Sequence, residues 1–162
     1  MNYSARMLVL SCILIASWLV GRGYAAYCKR RIAEEECFLS LLLHIEKGIT
    51  LFLKTPREIA DSFSGEEISD LLERVRSGES LGEAFLGVRR RLALSSRMSD
   101  RLSEYFSELG TGYREVELKR LALFIGEVRE DLAVEEERTP VRIRLAYTLL
   151  FAAALSVVIM LL

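Results

Sequence analysis

Two prolines, three cysteines, one histidine and one tryptophan are spread over 162 residues, and each scarcity excludes something. With proline only at Pro56 and Pro140, and few alternations of β-branched and aromatic residues, helix is the default reading almost everywhere. Cys12, Cys28 and Cys37 form no CxxC pair and are odd in number, so neither a disulfide framework nor a cysteine zinc site is expected. His44 stands alone among leucines and Ile45 and reads as a boundary or core histidine. Without a second histidine or a suitably placed base, no Ser or Cys acquires a triad. There is no G-x-x-x-x-G-K-[ST] phosphate cradle. Glu34–Glu36 and Glu135–Glu137 lie on helical ramps rather than on a turned loop, and read as solvated faces instead of hard-cation sites. A net charge of −1 argues against nucleic acid as the main partner. The chain therefore reads as a non-enzyme with no cofactor and no metal.

What is present is apolar sequence at both ends. Leu145 to Leu162 carries no charged residue, and at helical rise it spans about 27 Å, close to the thickness of a bilayer's hydrocarbon core. Arg142 and Arg144 precede it, which by the positive-inside rule keeps the chain before them in the cytoplasm. Met7 to Val20 is a shorter apolar run. The weakly polar Gly21–Cys28 extends it, with Arg22 snorkelling and Tyr24 and Tyr27 at the interface. Lys29, Arg30 and Arg31 then outweigh the lone Arg6 and assign the same orientation. The rival is a signal peptide cleaved near Gly23-Tyr24-Ala25, but three basic residues just past that point impede export. The expectation is an uncleaved anchor over 1–28, a cytoplasmic helical bundle over 29–141 and a second membrane helix over 142–162, in an all-α chain.

The middle is punctuated like a compact bundle. Phe38, Leu41, Leu42, Ile45, Ile49, Phe52 and Leu53 make one stripe along a helix over 30–53, continuous with the first span. Thr55-Pro56-Arg57-Glu58, Ser64-Gly65-Glu66-Glu67 and Ser80-Leu81-Gly82-Glu83 each have the form of a capping box. They predict helices over 56–63, 65–77 and 81–94, with a turn at Ser77-Gly78-Glu79. A further break near Ser95–Ser99 precedes a helix to Leu109, capped by Gly110. The last cytoplasmic helix, 112–138, carries a seam of Leu118, Leu121, Ile125, Val128 and Leu132 suited to antiparallel pairing with 30–53. Pro140 should kink or break the passage into the final span.

Two patches are candidates for contact. Arg89, Arg90, Arg91, Arg97 and Arg101 form the one basic concentration, either a solvated helix end or a docking patch for an acidic partner or anionic headgroups. Ala152 and Ser156, four apart in the last span, would let another helix approach closely.

The order of these features resembles the stage III sporulation protein AB family of endospore-forming bacteria. The resemblance is carried by the first span ending Gly21-Arg22-Gly23-Tyr24 and by LSLLLHIEKGITLFLKTPREIADSF, where Glu46 and Thr55-Pro56 look like the family's E…TP segment. SGESLGEAF, FSELGTGYREVELKRL and the C-terminal span follow, with Leu109-Gly110 and Glu117 similar to the family's LG turn. Alanines in the last span and Pro140 depart from the pattern. The family is itself similar to the type II secretion F domain, the inner-membrane platform of secretion systems. The resemblance implies a scaffold in the mother-cell membrane facing the forespore. There it would join other membrane proteins of a channel complex, with a homo-oligomer as one form of that assembly, and dock a cytoplasmic secretion-type ATPase. The alternative is a membrane-anchored regulatory or receptor subunit that binds a cytosolic signalling protein.

Overall fold

A computed structural model describes residues 3–52, 55–109 and 113–161. The described residues form six α-helices and no strand: α1 Tyr3–Lys47, α2 Pro56–Ser62, α3 Ser69–Arg76, α4 Leu81–Val88, α5 Ser96–Glu108 and α6 Arg114–Leu161. Contacts divide the chain into two units. One comprises residues 30–134, and the other pairs residues 1–29 with 135–162.

In the first unit, the α1 stripe forms the wall of the core. Phe38, Leu41, Leu42 and Ile45 are buried there and Ile49 half-buried, while Leu53 lies outside the described residues. Against them pack Leu71, Leu72 and Val75 of α3, Ala84 and Phe85 of α4, and Leu102 and Phe106 of α5. The α6 seam joins the same core: Leu121, Ile125 and Val128 are buried and Leu118 half-buried. Helix α5 lies along α6, with Tyr105 stacked on Phe124 at 4.8 Å. Arg114 donates to the carbonyls of Ile49 and Thr50 at 3.0 and 2.7 Å, which ties the start of α6 to the π-helical turn Gly48–Phe52 that ends α1.

The punctuation is honoured at two of the three expected boxes. Thr55 with Glu58 and Ser80 with Glu83 each make both reciprocal bonds, and the bonds from Ser80 hold the Glu83 carboxyl below its usual range. The Ser64–Glu67 box does not form. Helix α3 begins at Ser69, after Ile68, with no side-chain cap. The cause is packing. Gly65 sits so close to α1 that a Cβ there would lie 2.7 Å from Cys37 Sγ, Ile68 must enter the core at 1% exposure, and Glu67 bonds the Cys37 thiol instead.

Helix α3 ends in a Schellman turn, with Gly78 N–H bonded to Val75 O and Glu79 N–H to Arg74 O. Gly78 has φ +106°, a conformation that side chains with a Cβ resist. Gly78→Ala is expected to cost about 1–2 kcal/mol, measurable as a lowered urea midpoint of the full chain in detergent. The expected helix over 81–94 stops at Val88, followed by one 3-10 turn, Arg89–Arg91.

In the other unit, α1 and α6 approach closely where Gly21 faces Tyr147; a Cβ on Gly21 would stand 2.5 Å from the Tyr147 ring. Helix α6 passes through Pro140 without interruption. Proline removes the bond to the carbonyl four residues back, but Glu136 is exposed and water can serve that oxygen, while Thr139 Oγ1 donates to Glu135 O at 2.7 Å. Arg22 does not reach away from the apolar run. Its guanidinium lies over Trp18, 5.4 Å from the ring centroid, one turn towards the N-terminus, the direction in which helical side chains tilt.

Candidate docking site

The basic concentration is placed on α5, the 3-10 turn and their rim, and most of its charge is spent locally. Arg89 pairs with Asp100, Arg91 with Asp70 at 3.4 Å, Arg97 with Asp131 at 3.3 Å, and Arg101 with Glu127 and Asp131 at 3.2 and 3.1 Å. Arg90 is exposed and makes no ion pair among the described residues. Four of the five arginines therefore act as ties, of the 3-10 turn to α3 and α5 and of α5 to α6, more than as one open positive surface.

Glu34 and Glu35 correct the reading of a solvated acidic face. They are 1% and 2% exposed. Glu34 accepts the Ala93 N–H and an Arg30 Nε bond of 2.7 Å. Glu35 accepts the Ser95 N–H at 3.0 Å and Arg31 Nε at 3.2 Å. Arg30 also donates to Arg91 O. Two neighbouring carboxylates thus clasp the 91–95 turn, which is why the helix expected to run to residue 94 ends early. Sequence spacing alone gave no signal of this, because their partners are backbone groups about 60 residues away. Glu36 is exposed, and Glu135 pairs with Arg142 at 2.8 Å.

The motif positions at the ends of α1, α5 and α6 gather around Tyr105. Glu117 is buried and Glu46 half-buried, and both carboxylates, after burial itself, push the Tyr105 hydroxyl above its usual range. That hydroxyl is buried and makes no hydrogen bond among the described residues. Thr55 caps α2, whose first residue is Pro56, and Leu109 is half-buried against the core; Gly110 lies outside the described residues. His44 bonds Ser62 Oγ at 2.9 Å, which makes it a link from α1 to α2. Among the described residues no group of His, Cys, Asp or Glu is arranged to hold a metal.

Cys37 has a testable electrostatic environment. Burial, then the charge and hydrogen bond of Glu67, push its thiol up to about 11. The folded protein therefore keeps the thiol neutral at a pH where the unfolded chain, near 8.5, ionises. Stability from this group is full below about pH 8.5 and falls as pH rises towards 11. With peptide mapping after alkylation at pH 8, Cys37 is expected to label about two orders of magnitude more slowly than the unfolded chain; equal rates would refute the burial.

The apolar C-terminal part of α6 decides the environment. An 18-residue window within Arg114–Met160 has mean hydropathy 2.1, and only 6% of it is buried. A soluble core helix of that composition would be covered. Here Leu145, Leu149, Phe151, Ile159 and Met160 are all at least 60% exposed, a surface that water disfavours by roughly 25 cal/mol per Å². Ala152 and Ser156 are exposed, Ser156 Oγ bonding Ala152 O of its own helix, and the small residue that is buried is Ala154. The family model for stage III sporulation protein AB matches residues 6–162. The chain belongs to that family. Membership implies a role in sporulation as a structural component, and together with the exposed apolar helix it gives membrane association. Comparisons with curated proteins and with solved structures returned no match.

Proposed function

We propose that this member of the stage III sporulation protein AB family is a two-pass membrane scaffold. It holds the helical unit 30–134 on the cytoplasmic side of the mother-cell membrane, as a platform for a secretion-type ATPase in a channel complex with other sporulation membrane proteins. The observation that carries the reading is the uncovered apolar helix of α6. The apolar part of α1 supports a second span, since Leu14, Ile15, Trp18, Leu19 and Val20 are exposed as well. Lys29–Arg31 and Arg138–Arg144 follow and precede these stretches, as an inner-face placement requires. The polar residues that sequence singles out hold backbone and neighbouring helices, as Glu34, Glu35 and Arg101 do, and Arg114, which sequence did not single out, does the same. The energy for transport would then come from the partner's ATP hydrolysis, and the likeness to the type II secretion F domain belongs to this same reading.

Two measurements test it. A cysteine placed at exposed Glu73 should resist an impermeant maleimide in intact cells and react after lysis; labelling in intact cells places the unit outside. The full chain in nanodiscs should retain the sporulation ATPase in a pull-down. Recovery of only a kinase or a transcription factor would favour a regulatory subunit instead.

A further inference from the structure

Arg22 is the only charged residue between Arg6 and Lys29. The stretch around it, Met7 to Cys28, is helical throughout; at helical rise it measures about 33 Å, close to the thickness of a hydrocarbon core. An arginine within two turns of the end of such a stretch ordinarily sends its head back to the interface. Arg22 sends it the other way. Its guanidinium lies 5.4 Å from the Trp18 ring centroid, and Trp18 stands about 16 Å along the axis from both Met7 and Lys29. In a span over this stretch the charge is held near mid-depth.

A charge at that depth is costly and is ordinarily paired. The indole face attracts the cation but supplies no counter-charge, and Arg22 is exposed and makes no ion pair among the described residues. The chain has no acid to give it. Every Asp and Glu lies between Glu34 and Glu137, outside both apolar stretches. A second copy brings the same acid-free stretches and leaves the arginine equally unpaired.

The side of α1 that carries Arg22 is also open. Helix α6 meets α1 on the Gly21 side, at Tyr147, whereas Ile15, Trp18 and Leu19 are all more than half exposed. With Arg22, Gly23 and Ala26 they fall within a sector of about 140° around the axis. Gly23 and Ala26 are exposed, and nothing stands within 4 Å of where a Gly23 Cβ would be, so a second backbone can come close beside the guanidinium.

We infer that Arg22 pairs with a carboxylate carried at mid-depth by a membrane helix of another protein. The planar guanidinium can take both oxygens of an Asp or Glu at once, and it keeps Trp18 beside it. The inference rests on the second span proposed above.

The test uses the full chain in zwitterionic nanodiscs with labelled synthetic leucine-alanine membrane helices that carry Asp, Asn, Lys or Leu at their centre. The Asp helix should associate about tenfold more tightly than the Asn or Leu helix, and the Lys helix least of all. Arg22→Glu should transfer the preference to the Lys helix and Arg22→Leu should remove it, both without changing amide-exchange protection of residues 30–134. Equal association of the Asp and Asn helices, or a preference that survives Arg22→Leu, overturns the inference. Trp18, the one tryptophan of the chain, reports depth separately. Lipids brominated at the middle of the acyl chain should quench it best. Strongest quenching from spin-labelled headgroups would mean that Arg22 rises to the lipid phosphates, which overturns the pairing and leaves the span in place. Quenching by aqueous iodide would mean that the second span itself is absent, and both readings would fall.

Discussion

Phe38→Ala is expected to remove about 3–5 kcal/mol from the helical unit, a large share of what a domain of this size holds in reserve. The side chain is 0% exposed and joins three helices at once. Its ring meets Phe85 of α4 edge-on, at 5.7 Å and 87°, and Phe106 of α5 at 6.4 Å. Phe85 and Phe106 also pack on each other at 5.4 Å. Truncation therefore empties the centre of an aromatic triangle, losing the transfer term, the cavity term and two ring contacts worth roughly 0.5–1.5 kcal/mol each. The triangle is hard to close over the gap. At Gly82 a Cβ would come within 3.1 Å of Phe106 O, so α4 and α5 already touch backbone to backbone. Phe38→Leu should lose less than half as much. In thermal unfolding of the full chain in detergent, Phe38→Ala should lower the midpoint by at least about 12 °C; a loss below about 1 kcal/mol would show that the three helices do not depend on this ring.

The contrast between what sequence showed and what it hid follows the range of the interactions. The stripe Phe38–Ile45 and the seam Leu121–Leu132 are periodic signals, so both buried faces were legible, as were the Thr55 and Ser80 caps, whose partners lie three residues on. Ser64 with Glu67 has the same local form, yet tertiary packing of Gly65 and Ile68 against α1 overrides it. The arginines 89–101 read as one patch because most of their neutralising acids, Asp70, Glu127 and Asp131, come from two other stretches of the chain, Asp100 alone lying among them. The small residues of the last span had the right composition for close packing, but rotation about the helix axis, which composition does not encode, buries Ala154 and turns Ala152 and Ser156 outwards. Gly21, read only as the edge of a span, makes the close approach.

Glu34→Ala is the substitution for which charge alone most misleads. A glutamate beside Arg30 at four-residue spacing looks like a surface pair worth a few tenths of a kcal/mol. Arg30 is indeed 63% exposed, but the Glu34 side chain is 2% exposed, and its second oxygen accepts the N–H of Ala93, itself 6% exposed. Removing the carboxylate leaves that N–H buried without an acceptor, a cost of about 1–3 kcal/mol, and opens a void where the side chain stood. A total of about 2–4 kcal/mol is expected. Glu34→Gln keeps the shape and one carbonyl acceptor, so it should recover roughly half of that loss; the hydrogen bond it retains lacks the extra strength of an ionised acceptor. Because Glu35 holds Ser95, the N-cap of α5, the two losses should not add. With both carboxylates gone the 91–95 turn is released as one piece, and the double variant should cost less or more than the sum by at least about 0.5 kcal/mol. Amide exchange reads the mechanism directly. In Glu34→Ala, residues 92–95 and the first turn of α5 should lose protection while α2 and α3 keep theirs; uniform loss across the unit would mean that Glu34 acts only through overall stability and not as the clasp of this turn.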